Sequence, residues 1–434
     1  MAKPSPSRST IPTSADTEFR PLAERDYGAF YTIVNNAYPG FNLRTTEDRD
    51  RFLKSVAERM AAAPMSYCGL YRGDTLLGGA RLHDFVMNVR GAQVPAAGIG
   101  MVAVDLAHKK EHVARDLMHG WLEYCRAQGT PFALLYPFRP DFYKQMGFGY
   151  GTKLSQYHVP PAALPARGEK SHVAIIPADA PDAQQTVGEC YARVAARTNG
   201  LIRKSDAELS GFFSNPARRV AGYREGKTLR GYVVFSFTDA APDQFLTYDL
   251  IVHELIYETR EALLGLLAFL RSQADQVNRI EFNTQDENFH LLLSDVRDGS
   301  NVMLPSVYHR SNVQGVGIMY RVVDMRRVFE ALRGVNFGGE SLTLRVTVSD
   351  SFLEENEGHT TVRFNKGRPD VAQAATPDCG VTLDIAEFST LLMGAADFSS
   401  LYDYGLAEIS EATRLDQINR LFATAEKPIC MTHF

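Results

Sequence analysis

The chain of 434 residues is poor in cysteine, and its five cysteines stand far apart. No two of them form a CxxC pair. Disulfide scaffolds and thiolate zinc sites place cysteines at short, regular spacings, so this distribution excludes both. It favours a reducing compartment. The five residues are Cys68, Cys125, Cys190, Cys379 and Cys430.

The sequence also lacks a long apolar run and an excess of basic residues. No stretch approaches the roughly 20 apolar residues that a membrane-spanning helix needs. Lys and Arg number 46 against 51 Asp and Glu, a formal charge of −5, whereas nucleic-acid-binding proteins present a basic surface. We therefore expect a cytoplasmic protein with no nucleic-acid or membrane partner. Residues 1–17, rich in Ser, Pro and Thr, are predicted to be a disordered arm.

The remaining sequence has a globular composition and contains a repeated pattern. The length suggests roughly three domains. The motif that starts at Gly73, GDTLLG, recurs at Gly226 as GKTLRG, and each copy precedes an apolar strand and a helix. This order of elements predicts an α+β architecture with a duplicated domain. Only the first copy inserts a charged loop, His108–His112, between strand and helix.

The charged loop is the first candidate site. The apolar spacing predicts a helix over Lys109–Gln128 that ends at Gly129. Free amides at a helix start, together with Lys109 and Lys110, can bind a phosphate. Two solvated lysines are the plain alternative. The same loop matches H-x-x-E-H, a zinc-peptidase signature in which two histidines on one helix bind Zn²⁺. That pattern is short and lacks a third ligand, so we expect no metal.

The second candidate site is the segment after the apolar strand at Phe132, YPFRPDFYKQMGFGY. Its prolines predict a loop, and Tyr143 precedes a helical turn that Gly147 closes. A tyrosine has a pKa near 10, similar to that of a thiol, and can protonate a thiolate leaving group. The alternative is an aromatic residue of the core.

The order of hairpin, GIGMVAV strand, basic loop, helix, strand and F-Y-x-x-M-G-F resembles the GNAT acetyltransferases. The whole chain, with a second degenerate copy and an apolar C-terminus, resembles their enhanced-intracellular-survival subfamily. This resemblance implies two tandem GNAT-like mixed-sheet domains and a sterol-carrier-protein-like α+β domain. The expected boundaries are a catalytic domain over 18–160, a degenerate one over 161–300 and the third over 301–434.

The resemblance also implies acetyl-CoA as co-substrate and a role for each site residue. Tyr143 would be the general acid, and the carboxylate of Phe434 would accept the proton of the amine. The pantetheine arm would lie along the strand, the pyrophosphate in the loop, and the neighbouring strand end would line the cofactor. The residues implied for these three cofactor contacts are, in turn, Val102, Ala103 and Val104; Lys110, Glu111, His112, Val113, Ala114 and Arg115; and Phe138 and Arg139.

Two residues of the loop depart from the family pattern. His112 stands where the family has glycine, which allows positive φ and close backbone approach, and Glu111 repels phosphate. The leading hypothesis is acetyl transfer to a small-molecule or lysine amine, such as an aminoglycoside-like polyamine, by direct attack. The alternative is a non-catalytic protein with a degenerate site that binds CoA, a lipid or a regulatory partner. By resemblance the protein would be a homohexamer.

Overall fold

The computed structural model describes residues 11–14, 16–63, 65–240 and 246–434. Its elements fall into three successive parts of the chain. The first part contains strands β1 (Ile11–Ser14), β2 (Thr17–Pro21), β3 (Tyr67–Arg72), β4 (Thr75–Val89), β5 (Ala92–Val104), β6 (Phe132–Leu135) and β7 (Gly149–Tyr150), and helices α1 (Tyr27–Ala37), α2 (Thr46–Ala62), α3 (Val113–Gln128) and α4 (Pro140–Lys144).

The middle part contains strands β8 (Leu154–Val159), β9 (Val173–Ile175), β10 (Arg218–Glu225), β11 (Thr228–Asp239), β12 (Tyr248–Tyr257), β13 (Val277–Thr284), β14 (Met303–Leu304), β15 (Tyr308–His309) and β16 (Val313–Gly315), and helices α5 (Ala183–Ala195), α6 (Asp206–Ser214) and α7 (Arg260–Arg271). The last part contains strands β17 (Met319–Val322), β18 (Leu342–Ser349), β19 (Gly358–Asn365), β20 (Arg368–Val371), β21 (Cys379–Asp384) and β22 (Ala407–Ile409), and helices α8 (Met325–Ala331), α9 (Ile385–Met393), α10 (Phe398–Asp403) and α11 (Leu415–Phe422).

The first sheet has the order β1-β2-β3-β4-β5-β6-β17-β7. Gly73 turns β3 into β4 with φ +57°, a conformation that glycine adopts without steric cost. Helix α3 connects the parallel strands β5 and β6 and packs Leu117, Trp121 and Leu122 into the core. Gly129 ends the helix with φ +72°, as predicted.

Strands β5 and β6 separate part of the way along their length. They pair only over Ala96–Gly98 and Phe132–Leu134. Strand β5 continues to Val104 while still paired with β4. The far half of β5 therefore has one edge that β6 leaves open, and an extended ligand can pair with such an edge.

The second sheet, of order β16-β8-β13-β12-β11-β10-β9, repeats this plan. Gly226 turns β10 into β11 with φ +60°, and α7 connects the parallel strands β12 and β13. Strand β12 ends at Tyr257 and α7 begins at Arg260. The duplication predicted from the sequence is thus present, and the second copy has no charged loop at this point.

A third sheet, of order β20-β19-β18-β21-β22, carries helices α8 to α11. Every residue of α9 is buried, and its Ser389 hydroxyl accepts a hydrogen bond from the Val322 amide of β17. The buried Arg321 donates two hydrogen bonds to Asp350, of 2.7 and 2.8 Å. It also donates one to the Met146 carbonyl. The third sheet is therefore joined to the segment that carries Tyr143.

The sheets cross two of the predicted domain boundaries. Leu154–Val159, expected to end the first domain, pairs with β13 of the second sheet. Met319–Val322, expected in the third domain, lies between β6 and β7 of the first sheet. These pairings are between segments far apart in sequence, which local patterns do not report.

Two further predictions differ from the structure. Part of the arm predicted over 1–17, residues 1–10 and 15, lies outside the described residues, but Ile11–Ser14 is a strand that pairs with β2. Helix α3 begins at Val113 and not at Lys109. Lys110 and His112 have φ of +68° and +63°, which a continuous right-handed helix does not allow.

Candidate active site

The open edge of β5 carries Val102, Ala103 and Val104, the three residues predicted to face the pantetheine arm. A bulge precedes them: the pairing with β4 shifts between Gly79 and Arg81, and Met101 has φ +51°. Such strain in a residue other than glycine is concentrated at functional sites. The Val102 carbonyl accepts a hydrogen bond of 2.7 Å from the Tyr38 hydroxyl. The strand is thus held in an irregular conformation at the predicted thioester position.

The turn before α3 has the backbone that the family pattern assigns to glycine. His112 is the N-cap of α3 with φ +63° and ψ +7°. Histidine tolerates this region better than most residues, so the substitution has not changed the direction of the chain. The amides of Val113, Ala114 and Arg115 begin the helix and have no intrahelical acceptor. Free amides of this kind can bind an anion, and they lie where the sequence predicted the pyrophosphate.

Charged side chains surround this turn. Lys109, Lys110 and Arg115 are exposed. Glu111 accepts hydrogen bonds from His108 (3.2 Å) and Arg72 (3.3 Å), which hold the pKa of its carboxyl below the usual value. Because Arg72 compensates its charge, Glu111 repels a bound phosphate less than the sequence suggested.

The zinc-peptidase reading of the same loop is wrong in its geometry. His108 ends a 3₁₀ turn, Leu106–His108, and His112 precedes α3, so the two histidines do not share a helix. In the part of the chain that the structure describes, no three His, Cys, Asp or Glu side chains come together as metal ligands.

Tyr143 lies on the short helix α4, which begins with Pro140. Its ring is 3% exposed and lies edge-on to the ring of Phe148 at 6.2 Å. The pKa of its hydroxyl is raised above the usual value, first by burial and then by the neighbouring Tyr38 hydroxyl. Among the described residues, none accepts a hydrogen bond from it. The ring is a core aromatic, but the phenol is a protonated group with a free donor.

The loop between β6 and α4 carries the other two predicted cofactor contacts. Phe138 is 69% exposed, and its ring lies edge-on to Tyr143 at 5.9 Å. Arg139 forms an ion pair with Asp141 at 2.5 Å. Both residues stand at the end of the strand that separates from β5, and Phe138 offers an apolar surface there.

The C-terminal segment runs across the second domain into this site. The Ile429 amide donates to the Asn199 carbonyl, the Cys430 amide to Gln285, and the Tyr136 hydroxyl to the Thr432 carbonyl at 2.9 Å. The C-terminus, which is apolar in the sequence, is therefore packed against the protein. The tail thus has a defined path to its last residue.

Phe434 lies on β5 at two glycines. Its ring is 5.0 Å from that of Phe85 and 5.3 Å from that of Tyr136. A Cβ added at Gly98 would lie 2.9 Å from the Phe434 ring, and one at Gly100 would lie 3.0 Å from its carboxyl carbon. The Phe434 carboxyl therefore lies over Gly100, close in sequence to Val102 at the predicted thioester position.

Sequence reasoning missed His83, which borders the Phe434 carboxyl. Its Nε2 is buried without a hydrogen-bond partner in the described chain, and it would lie 3.9 Å from a Cβ at Gly100. Burial, followed by repulsion from Arg81 and Arg59, lowers the pKa of His83 to about 3. The imidazole is therefore neutral at neutral pH. In the sequence, the alternation of Arg81, His83 and Phe85 along one strand was the feature that could have indicated His83.

The second copy differs from the first at the place where its two parallel strands separate. Past Val252 and Phe282, where β12 and β13 stop pairing, lies a cavity of about 920 Å³ bordered by the C-terminal tail. Thr259 caps α7 with its own side chain, which accepts a hydrogen bond from the Ala262 amide. That helix start is thus partly satisfied by the protein, whereas His112 makes no such side-chain cap on α3.

Comparisons with known proteins agree with this geometry. Residues 18–151 and 196–322 each match a family described as an acetyltransferase (GNAT) domain. Residues 326–431 match a sterol carrier protein domain. An uncharacterised N-acetyltransferase of Streptomyces avermitilis is 28% identical over 238 residues, which are 50% of this chain and 54% of that protein. The chain thus spans about half the length of this curated relative.

Solved structures share the fold over nearly the whole chain. A GCN5-related N-acetyltransferase of Anabaena variabilis has a TM-score of 0.76 at 17% identity, covering 96% of this chain and all of the other. Eis1 of Mycobacterium abscessus has a TM-score of 0.74 at 19% identity, with coverage of 96% and 100%. At these identities the likeness concerns the fold.

The chain belongs to the GNAT acetyltransferases, the acyltransferase class that the sequence resemblance implied. Its two GNAT domains are followed by a C-terminal sterol carrier protein domain, the order of domains that the sequence resemblance implied. The α+β fold class predicted from the sequence is confirmed. Within the described ranges, no helix combines the length and apolar character of a transmembrane segment.

Proposed function

We propose that this protein transfers an acetyl group from acetyl-CoA to a primary amine by direct attack of the amine. The observation that carries the proposal is the position of the Phe434 carboxyl on β5 at Gly100. On the same strand, the Val102 carbonyl binds Tyr38, whose hydroxyl neighbours that of Tyr143. A proton acceptor and a proton donor thus border the open strand edge on which the thioester would lie.

The residues present fit acetyl-CoA. The left-handed turn at His112 and the free amides of Val113–Arg115 suit a pyrophosphate, with Lys110 beside them. The open edge of β5 suits the amides of the pantetheine arm, and a strand amide there would polarise the thioester oxygen. Phe138 would contact the arm from the opposite side. Acetyl-CoA, when bound, supplies the acetyl group as an activated thioester.

The proton transfers are assigned to Phe434 and Tyr143. The Phe434 carboxylate accepts a proton from the acceptor nitrogen, directly or through a water molecule, as that nitrogen bonds to the acetyl carbon. Tyr143 donates its proton to the sulfur as the carbon–sulfur bond breaks. Burial raises the pKa of Tyr143, which keeps it protonated, and the same low-polarity surroundings raise the basicity of the departing thiolate.

Replacement of Tyr143 tests the general acid. General acid catalysis typically contributes about 10²- to 10⁴-fold, so Tyr143→Phe is expected to lower kcat by about 100-fold or more. The dissociation constant for acetyl-CoA should stay within about threefold, because the hydroxyl acts on the leaving group. Tyr150→Phe, on the exposed neighbouring strand, is the matched control. Unchanged turnover in Tyr143→Phe would remove this residue from the mechanism.

Calorimetry with acetyl-CoA separates the proposal from a non-catalytic role. Glu111 is paired with Arg72, and the backbone of His112 is left-handed. Both features favour a functional phosphate site, so we expect a measurable heat of binding. No heat at millimolar acetyl-CoA would support the regulatory alternative. This proposal also includes three properties that the resemblance implies: an aminoglycoside-like or lysine acceptor, a homohexamer and a cytoplasmic location. Sedimentation measures the number of subunits directly.

A further inference from the structure

The acceptor side of the site borders one face of strand β4. Arg81 and His83 alternate along this face and pair directly with Gly100 and Gly98 of β5. Directly opposite residues have Cβ positions about 4.5–5.5 Å apart. Because the two glycines have no side chains, the Phe434 ring and carboxyl fill the space over β5. The Arg81 side chain therefore stands beside the position where the amine would attack.

The Arg81 guanidinium has no partner in the described part of the chain. No described residue makes a hydrogen bond or an ion pair with it. Its charged and titratable neighbours are Arg59 of α2 and the Tyr67 hydroxyl of β3, and its pKa is lowered by burial and by repulsion from Arg59. The exposed Arg59 side chain is equally without an ion pair among the described residues. Within the described ranges, no side-chain carboxylate acts on Arg81.

This arrangement leaves the acceptor side with an uncompensated positive charge. Arg81 pairs with Gly100, over which the Phe434 carboxyl lies, Arg59 adds a second positive charge near Arg81, and His83 is neutral at neutral pH. A half-buried cation without a partner is costly, and a planar guanidinium binds carboxylate and phosphate in a two-pronged geometry. A polycationic acceptor would be repelled at the same place.

We propose that the acceptor amine carries an oxyanion, a carboxylate or a phosphate, which binds Arg81 with Arg59 at the rim. This inference rests on the proposed acetyl transfer and narrows its acceptor class. The amine lies at the Phe434 carboxylate, and the oxyanion lies one strand away on β4. The inferred acceptor is therefore a compact amino acid or amino phosphate, and it replaces the aminoglycoside-like polyamine that the family resemblance alone implied.

The test compares amines that differ in the anionic group. Glycine is paired with glycinamide, phosphoethanolamine with ethanolamine, and spermidine represents polycations. We expect the anionic member of at least one pair to have the highest kcat/KM of all the amines. The pair with the larger ratio of kcat/KM between its anionic and uncharged members shows whether Arg81 binds a carboxylate or a phosphate. A charge-assisted bond to arginine corresponds to about 10- to 100-fold, so Arg81→Gln should raise the KM for that acceptor by this factor and leave kcat within about threefold.

Three variants guard against a general structural effect. Arg81→Lys should recover part of the affinity, Arg59→Gln should raise KM by a smaller factor, and Arg25→Gln, which removes an exposed ion pair with Asp74, should change nothing. The inference is overturned if uncharged or polycationic amines are preferred, or if Arg81→Gln lowers kcat/KM for both members of a pair equally.

A binding readout keeps this inference separable from the proposed function. Calorimetry measures the same amines against the protein with CoA present, and against the protein alone. If acetyl-CoA does not bind, the proposed function fails, while preferential binding of the anionic amine, lost in Arg81→Gln, still supports the oxyanion site. If acetyl-CoA binds and no anionic amine binds or reacts better than its uncharged partner, the oxyanion site fails alone.

Discussion

The half-buried imidazole of His83 shows how one residue couples the site to solution pH. Burial lowers the pKa of His83 to about 3 in the folded protein, against 6.5 for an ordinary histidine side chain. Between these values the unfolded chain binds the proton that the folded chain excludes. The contribution of His83 to the free energy of unfolding is therefore complete above pH 6.5. It decreases as the pH falls toward 3, by up to about 1.4 kcal/mol per pH unit.

The corresponding prediction concerns the change in unfolding free energy between pH 7 and pH 5. The wild-type protein should lose about 2 kcal/mol more than His83→Gln over this interval, because only the wild type has this buried imidazole. Urea unfolding followed by tryptophan fluorescence measures it, since Trp121 lies in the core of the same domain. His359→Gln, on an exposed position of β19, should keep the wild-type pH dependence. Equal losses in all three proteins would contradict the burial argument.

At the same scale, the sequence predicted Tyr143 and Phe434 as site residues and gave no indication of Arg81 or His83. Tyr143 stands in a dense motif, and an apolar chain end is visible in the sequence. Arg81 and His83 alternate with Leu82 and Asp84, a pattern typical of any half-exposed strand. They border the site only because Gly98 and Gly100 of the next strand leave room for the tail.

At the scale of elements, the turn before α3 tests whether its left-handed backbone or its side chain matters. His112→Gly should keep the turn and relieve about 1 kcal/mol of left-handed strain. We expect a small gain in thermal stability and an acetyl-CoA dissociation constant within about threefold of the wild type. His112→Val, which is β-branched, should weaken acetyl-CoA binding by at least tenfold, because it disfavours this φ. Calorimetry would contradict the argument if the order of the two variants were reversed.

Sequence patterns correctly predicted those elements whose formation depends on residues close together in the chain. The Gly73 hairpin, the apolar stripe of α3 and its end at Gly129 all agree with the structure. Strand β20 (Arg368–Val371) contains a proline, which is unusual in a strand. Its Pro369 is acceptable because β20 is at the edge of its sheet, and edge position depends on long-range pairing.

At the scale of the molecule, the three parts of the chain are interleaved. Strand β17 completes the first sheet from residues that follow the second, and the buried Arg321–Asp350 pair joins the third sheet to the turn after Tyr143. No change in composition marks the points where one part of the chain contributes to another. The domain boundaries were predicted from the order of motifs along the chain, and that order does not show which strands pair across a boundary.

The interleaving also explains how the third part of the chain can supply a group to the first. The tail is held at Asn199 and Gln285 of the second part and at Tyr136 of the first, so its length is fixed up to Phe434. One alanine appended after Phe434 should move the carboxyl group off Gly100. We expect kcat to fall by about 100-fold or more, the typical contribution of a positioned general base, with acetyl-CoA affinity unchanged.

The matched control is Phe434→Leu, which keeps the carboxyl group and shortens only the apolar side chain. It loses ring contacts with Phe85 and Tyr136 and should lower kcat by less than about tenfold. Thermal unfolding of both variants separates lost packing from lost chemistry, because only the leucine variant removes buried apolar surface. If the appended alanine left kcat intact while the leucine abolished it, the ring and not the carboxylate would be the group that the fold delivers to β5.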